Sequence, residues 1–153
     1  MGWTNSHLYE FRVGAHRYTA LETLDEEDGS KDARRMTVAR AAATSGGQFK
    51  YRYDFGDGWV HTVDVESSEP ERADIVYPRC LAGERACPPE DCGGVDGYFE
   101  FLAALMANPR HPEQDAMRTW VGGRFDPEAF DLDAVNRRLA GHARRSKVSN
   151  QTG

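Results

Sequence analysis

The chain has 153 residues and a mass of 17.1 kDa, with 19 Lys and Arg against 25 Asp and Glu, for a formal charge of −6. That length suits one domain with a real core, and 39% apolar residues with three Trp, six Tyr and seven Phe exclude full disorder and a fibrous repeat. No apolar run approaches the ~18 residues of a membrane helix, and no secretory leader pattern opens the chain, so a cytoplasmic protein without a membrane partner is expected.

Tyr9, Phe11 and Val13 alternate with Glu10 and Arg12, and Gly14 turns the chain into His16-Arg17-Tyr18-Thr19, which predicts a strand pair. Five acids between Glu22 and Asp28, with no base among them, predict a solvated loop. Thr37 is placed to cap a short helix beginning at Val38, and Gly46-Gly47 to stop it. The strongest period follows. Phe49, Tyr51, Tyr53 and Phe55 alternate with Lys50, Arg52 and Asp54, Gly56-Asp57-Gly58 reverses the chain, and Trp59, His61, Val63 and Val65 alternate on the return. This predicts a hairpin with one aromatic face.

Residues 67–96 form a polar, Pro-containing connection that carries all three cysteines. A helix is then expected from Gly97 with Phe99, Leu102, Leu105 and Met106 on one face, ended by Asn108-Pro109. A second is expected from about Pro112 to Gly122-Gly123. Asp126-Pro127 reads as a helix start, and Asp131 as the cap of a last helix carrying Leu132, Val135 and Leu139. Strands first and helices mainly in the C-terminal half predict an α+β fold around a mixed or antiparallel sheet with a central aromatic hairpin. After Asp133 there are five bases and no acid, so residues 1–140 are read as a single domain and 141–153 as a basic flexible tail.

Three segments carry a family resemblance: Gly2-Trp3-Thr4-Asn5-Ser6-His7-Leu8-Tyr9-Glu10-Phe11, Tyr53-Asp54-Phe55-Gly56-Asp57-Gly58-Trp59-Val60-His61, and Tyr77-Pro78-Arg79-Cys80 through Pro88-Pro89-Glu90-Asp91-Cys92-Gly93-Gly94. Together with Phe125-Asp126-Pro127-Glu128-Ala129-Phe130-Asp131, they make residues 2–140 resemble the plasmid pRiA4b ORF-3-like family, whose members include TnpR passenger-like proteins of insertion elements. The resemblance implies an α+β fold with a mixed sheet and a link to plasmids and mobile elements, and it supplies no catalytic residues. It also implies some tens of residues before Gly2, forming a strand pair and a helix. Without them, sheet edges and apolar surface would stand uncovered, favouring self-association.

Two constellations could carry chemistry. Cys80, Cys87 and Cys92 lie within 13 residues and, with His61, offer thiolate and imidazole ligands of the kind zinc takes tetrahedrally. Their spacing matches no common zinc module, and small core thiols are the alternative. Asp54, Asp57, His61, Glu90 and Asp91 form the second set, an acid-rich group of the type a metal-dependent nuclease or hydrolase uses to activate water. Against that, Asp54 and Asp57 flank a turn that favours Asp for its backbone hydrogen bonds, and His61 shares an alternation face with Trp59 and Val63, which suits a core histidine. Asp54-Phe55-Gly56 matches the kinase magnesium motif by chance, because no phosphate loop or catalytic loop accompanies it. With no nucleophile motif, the balance leans against an enzyme. The reading reached is a non-enzymatic binding or interaction module, its partner an unidentified protein or a second copy meeting the aromatic face. A metal-dependent enzyme is the alternative. Accessory DNA binding in transposition, through the basic tail, comes third.

Overall fold

The computed structural model describes residues 2–25, 27–72, 74–107 and 112–149, the side chains of 143–149 excepted. The fold is α+β and divides into two compact units. The first combines Met1–Ser68 with Pro88–Gly123, and the second combines Glu69–Cys87 with Arg124–Gly153.

The first unit is built on a five-stranded sheet of order β3-β2-β1-β4-β5. Strands β1 (Tyr9–Val13) and β2 (His16–Thr19) are the expected pair, β4 (Gln48–Tyr53) and β5 (Trp59–Asp64) are the expected hairpin, and these four strands pair antiparallel. The two-residue β3 (Lys31–Asp32) adds to β2 in parallel and makes the sheet mixed. Register places Phe11 opposite Tyr51 and Tyr18, Tyr51 opposite His61, and Tyr53 opposite Trp59 and Tyr9, so one sheet face is almost wholly aromatic. Phe55 leaves that face. Asp54 takes a left-handed φ of 57°, which ends the strand alternation one residue early and puts Phe55 in the turn under the Arg52 guanidinium.

Helix α1 (Val38–Ser45) covers one end of the aromatic face. Thr37 caps it by accepting from the Arg40 N–H at 3.2 Å, and Gly46 closes it at φ 69°. Val13, Tyr18, Ala41 and Phe49 are the buried cluster there, with Phe11, Met36 and Val63 packed against it. Burying each such large side chain contributes about 1.5–3 kcal/mol.

Helix α2 runs Gly94–Met106 and α3 runs Gln114–Trp120; the expected stop at Asn108-Pro109 lies outside the described residues. The buried stripe of α2 is Gly94, Phe101 and Ala104, while Phe99 and Met106 are 64% and 76% exposed. The expected face was therefore rotated. Val95, Tyr98, Phe99, Phe101, Leu102 and Leu105 make this helix apolar nearly all round, so period alone does not select its inner side. Phe101 is selected by Tyr98 and Trp120 beside it, and Gln114, itself buried, donates to the Ala104 and Leu105 carbonyls that end the helix.

In the second unit, Asn136 on α4 (Leu132–Ser149) grips the Cys80 backbone at two points: its Oδ1 accepts from Cys80 N at 2.9 Å and its Nδ2 donates to Cys80 O at 3.0 Å. Asp131 caps α4 through the Ala134 N–H at 2.8 Å. Asp126-Pro127 starts a turn rather than a helix, with Asp126 accepting from Glu128 N and Ala129 N. The segment read as a tail begins inside α4.

Candidate functional site

Three segments meet over the hairpin end of the aromatic face, all within the first unit: the arm 2–8, the β4–β5 turn 54–58, and the loop 88–94. They belong to the three stretches that carry the family resemblance. Far apart in the chain, they are joined by hydrogen bonds spanning 85 or 86 residues.

Trp3 is the lid. Its ring stacks on Tyr53 at 4.9 Å between centroids and also meets Trp59 and His61, while its indole N–H donates to the Pro88 carbonyl at 2.9 Å. Glu90 is the hub. Its carboxylate accepts from Thr4 N (3.1 Å), Thr4 Oγ1 (2.7 Å) and the Tyr53 hydroxyl (2.7 Å). The Thr4 hydroxyl, and then Tyr53, hold the Glu90 carboxyl below its ordinary value. Burial, and then the Glu90 contact, push the Tyr53 phenol up. Thus Glu90 braces the loop.

Beside this clamp, His7 sits between two carboxylates. Its Nδ1 faces Asp54 Oδ2 at 3.7 Å and its Nε2 faces Asp91 Oδ1 at 3.3 Å. One ligand atom from each of the three residues can be chosen so that all lie within 4.8 Å of one another, a set that could hold a divalent ion. Asp54 is buried, and its Oδ1 accepts from Gly56 N and Asp57 N, the turn role expected of it. Asp57 Oδ1 accepts from Gly93 N at 3.2 Å, whereas its Oδ2 is buried without a hydrogen-bond partner among the described residues. Gly94, at φ 69°, is required here, since a Cβ would lie 2.3 Å from the Asp57 carbonyl oxygen.

Of the acid-rich set, the structure gathers Asp54, Asp57, Glu90 and Asp91 around this junction. Among the described residues the histidine between carboxylates is His7, which the sequence reading did not single out. His61 is half-buried, with its ring on Tyr51 at 5.4 Å and its Nδ1 3.2 Å from the Tyr51 carbonyl oxygen. Cys80 and Cys87 belong to the second unit, Cys92 and His61 to the first, and all three cysteines are half-buried thiols outside any disulfide. Cys80 Sγ donates to the Ala82 carbonyl at 3.2 Å and Cys92 Sγ to that of Gly94 at 3.8 Å.

Between Trp3 at one end and α1 at the other, the aromatic face stays open. Tyr9, Phe11, Tyr51, His61 and Val63, all half-buried, line a groove of about 490 Å³ with Asn5 at its rim.

Fold and site thus define an α+β sheet protein with a three-segment junction over one end of an aromatic face. The chain belongs to the plasmid pRiA4b ORF-3-like family, whose profile matches residues 1–134. It is 43% identical over 141 residues to the uncharacterized protein y4hQ of Sinorhizobium fredii, covering 90% of this chain and 70% of that one. A crystal structure of MM3350, a protein of unknown function from Methanosarcina mazei Go1, matches with a TM-score of 0.74 and 34% identity, covering 88% of this chain and 75% of the other. Among the described residues, no helix is long and apolar enough to cross a membrane.

Proposed function

We propose that the protein is a non-enzymatic interaction module whose contact surface is the β5 edge with the aromatic groove beside it, occupied by a second copy of the chain. The observation that carries this is an unguarded edge. β5 is six residues long, ends the sheet, and contains no Lys, Arg or Pro and one acid. Val60 and Thr62 are exposed on it, and His61 and Val63 line the groove. The opposite edge is protected: β3 has two residues, both charged. Two β5 strands paired antiparallel about a two-fold axis normal to the sheet keep both aromatic faces on one side and satisfy the edge N–H and C=O groups of both copies. The link to plasmids and mobile elements is what the family resemblance adds, and a cytoplasmic site of action is part of the same proposal.

Sedimentation of the full chain tests this. A concentration-dependent dimer is expected, and Val60→Lys, placing a charge at a 58% exposed position, should leave a monomer with unchanged circular dichroism. A wild-type monomer, or a dimer indifferent to Val60→Lys, would overturn the reading.

A second reading, metal-dependent hydrolysis, is favoured by the His7, Asp54 and Asp91 set, because one imidazole and two carboxylates suit a divalent ion that activates water. Zinc on Cys80, Cys87, Cys92 and His61 is a separate proposal resting on thiolate chemistry. Elemental analysis of chelator-free protein separates the two. Metal lost in Asp54→Asn supports the first, metal lost in the Cys→Ser variants supports the second, and metal-free protein that also fails to bind added manganese or zinc removes both.

A further inference from the structure

The other face of the same sheet is polar, and strand register does something there that chain order conceals. Arg17 on β2 stands opposite Arg12 on β1, and Arg12 stands opposite Lys50 on β4. Three cations therefore form a row across three adjacent strands, spanning about 10 Å at the usual strand spacing. Arg52 lies in the next row, opposite Glu10. Like charges directly opposite one another destabilise a sheet, so the row costs stability unless anions meet it.

The chain supplies too few. Glu10, only 3% exposed, accepts from Arg12 Nε at 3.0 Å and lies 3.9 Å from Arg17 Nε, and Arg17 also pairs with Asp28. Asp64, in the row beyond Lys50, accepts from Gln48. Arg52 is directed to the Phe55 carbonyl and ring, and Lys50 is exposed; among the described residues neither has a carboxylate partner. Four cations thus face three carboxylates, Glu10, Asp28 and Asp64, on one surface of a chain whose formal charge is −6. Between them lies an open cleft of about 320 Å³, bordered by Glu10, Arg12, Lys50, Arg52, Gly58 and Val60.

We propose that this face binds the phosphate backbone of a nucleic-acid strand, with successive phosphates along the Arg17–Arg12–Lys50 row. A row that crosses three strands and is exposed at Arg12 and Lys50 suits an extended polyanion better than an enclosed small one, and clustered Lys and Arg bind such a polymer by releasing its counterions. The buried Glu10 acts as the positioning residue that holds the two guanidiniums in line. The site lies on the opposite face from the aromatic groove and does not depend on the proposed dimer.

Fluorescence anisotropy of a labelled single-stranded oligonucleotide with the full chain, over a range of salt concentrations, tests it. Three phosphate contacts give a slope of log K on log salt of about −2, and Lys50→Gln should reduce it to about −1.4 with several-fold weaker binding. Among the described residues the Lys50 side chain has no partner to lose, so this variant should keep the fold, and Arg12→Gln, checked by circular dichroism, should weaken binding further. The full-length variant Arg144→Gln/Arg145→Gln/Lys147→Gln should bind as wild type. Absence of binding, equal binding by Lys50→Gln, or loss confined to the triple variant would overturn the proposal. So would displacement by stoichiometric pyrophosphate, which would mark a small-anion site instead.

Discussion

Glu90 shows how one side chain can join remote parts of a chain. It receives Thr4 from the arm and Tyr53 from β4 while sitting on the 88–94 loop, so its ionisation is linked to the closure of the whole junction. Because its folded-state value lies below the ordinary 4.5, the clamp is fully stabilising above that pH and is lost as the pH falls through the depressed value. Glu90→Gln should therefore flatten the acid limb of a plot of urea midpoint against pH. An unchanged limb would show that Glu90 does not couple to stability. Tyr53→Phe removes a hydrogen bond to a charged group from a residue only 2% exposed, and should cost about 1.5–3 kcal/mol in the same measurement. In sequence, the carboxylates of this site were legible as an acid-rich set. Trp3, Thr4 and His7 were not, because nothing in a lone tryptophan or histidine near the start of a chain says which distant loop it will meet.

Among the elements, the best predicted were those whose ends are set by local chemistry. The α1 boundaries follow from the Thr37 hydroxyl and the left-handed Gly46, both local signals. Thr37→Ala should cost about 1 kcal/mol and lower the melting temperature by roughly 2–4 °C for a protein of this size, as differential scanning calorimetry would show. The α2 face went the other way. Its ring of apolar residues fits several inner sides equally well, and the choice of Phe101 over Phe99 rests on contacts with Tyr98 and Trp120. Asp126-Pro127 has the chemistry of a helix start, but the backbone turns after Ala129, so a cap signal without an apolar period behind it marks only a turn.

For the whole molecule, the sheet has one aromatic face and one polar face, and the six-residue β5 ends it. If two copies meet at β5, dissociation accompanies unfolding, and the wild-type melting temperature should rise with protein concentration while that of Val60→Lys stays constant. The sequence by itself determined the α+β class, the aromatic hairpin, the β1–β2 pair and the membership suggested by three separated segments, because period, turn residues and caps act over a few residues. Only the tertiary structure decided which segments meet. The Arg17–Arg12–Lys50 row, the His7 contacts with Asp54 and Asp91, and the exposed position of β5 all arise from strand order and register. Those are set by the packing of the sheet as a whole, a sum of long-range contacts to which no single stretch of the chain holds the key.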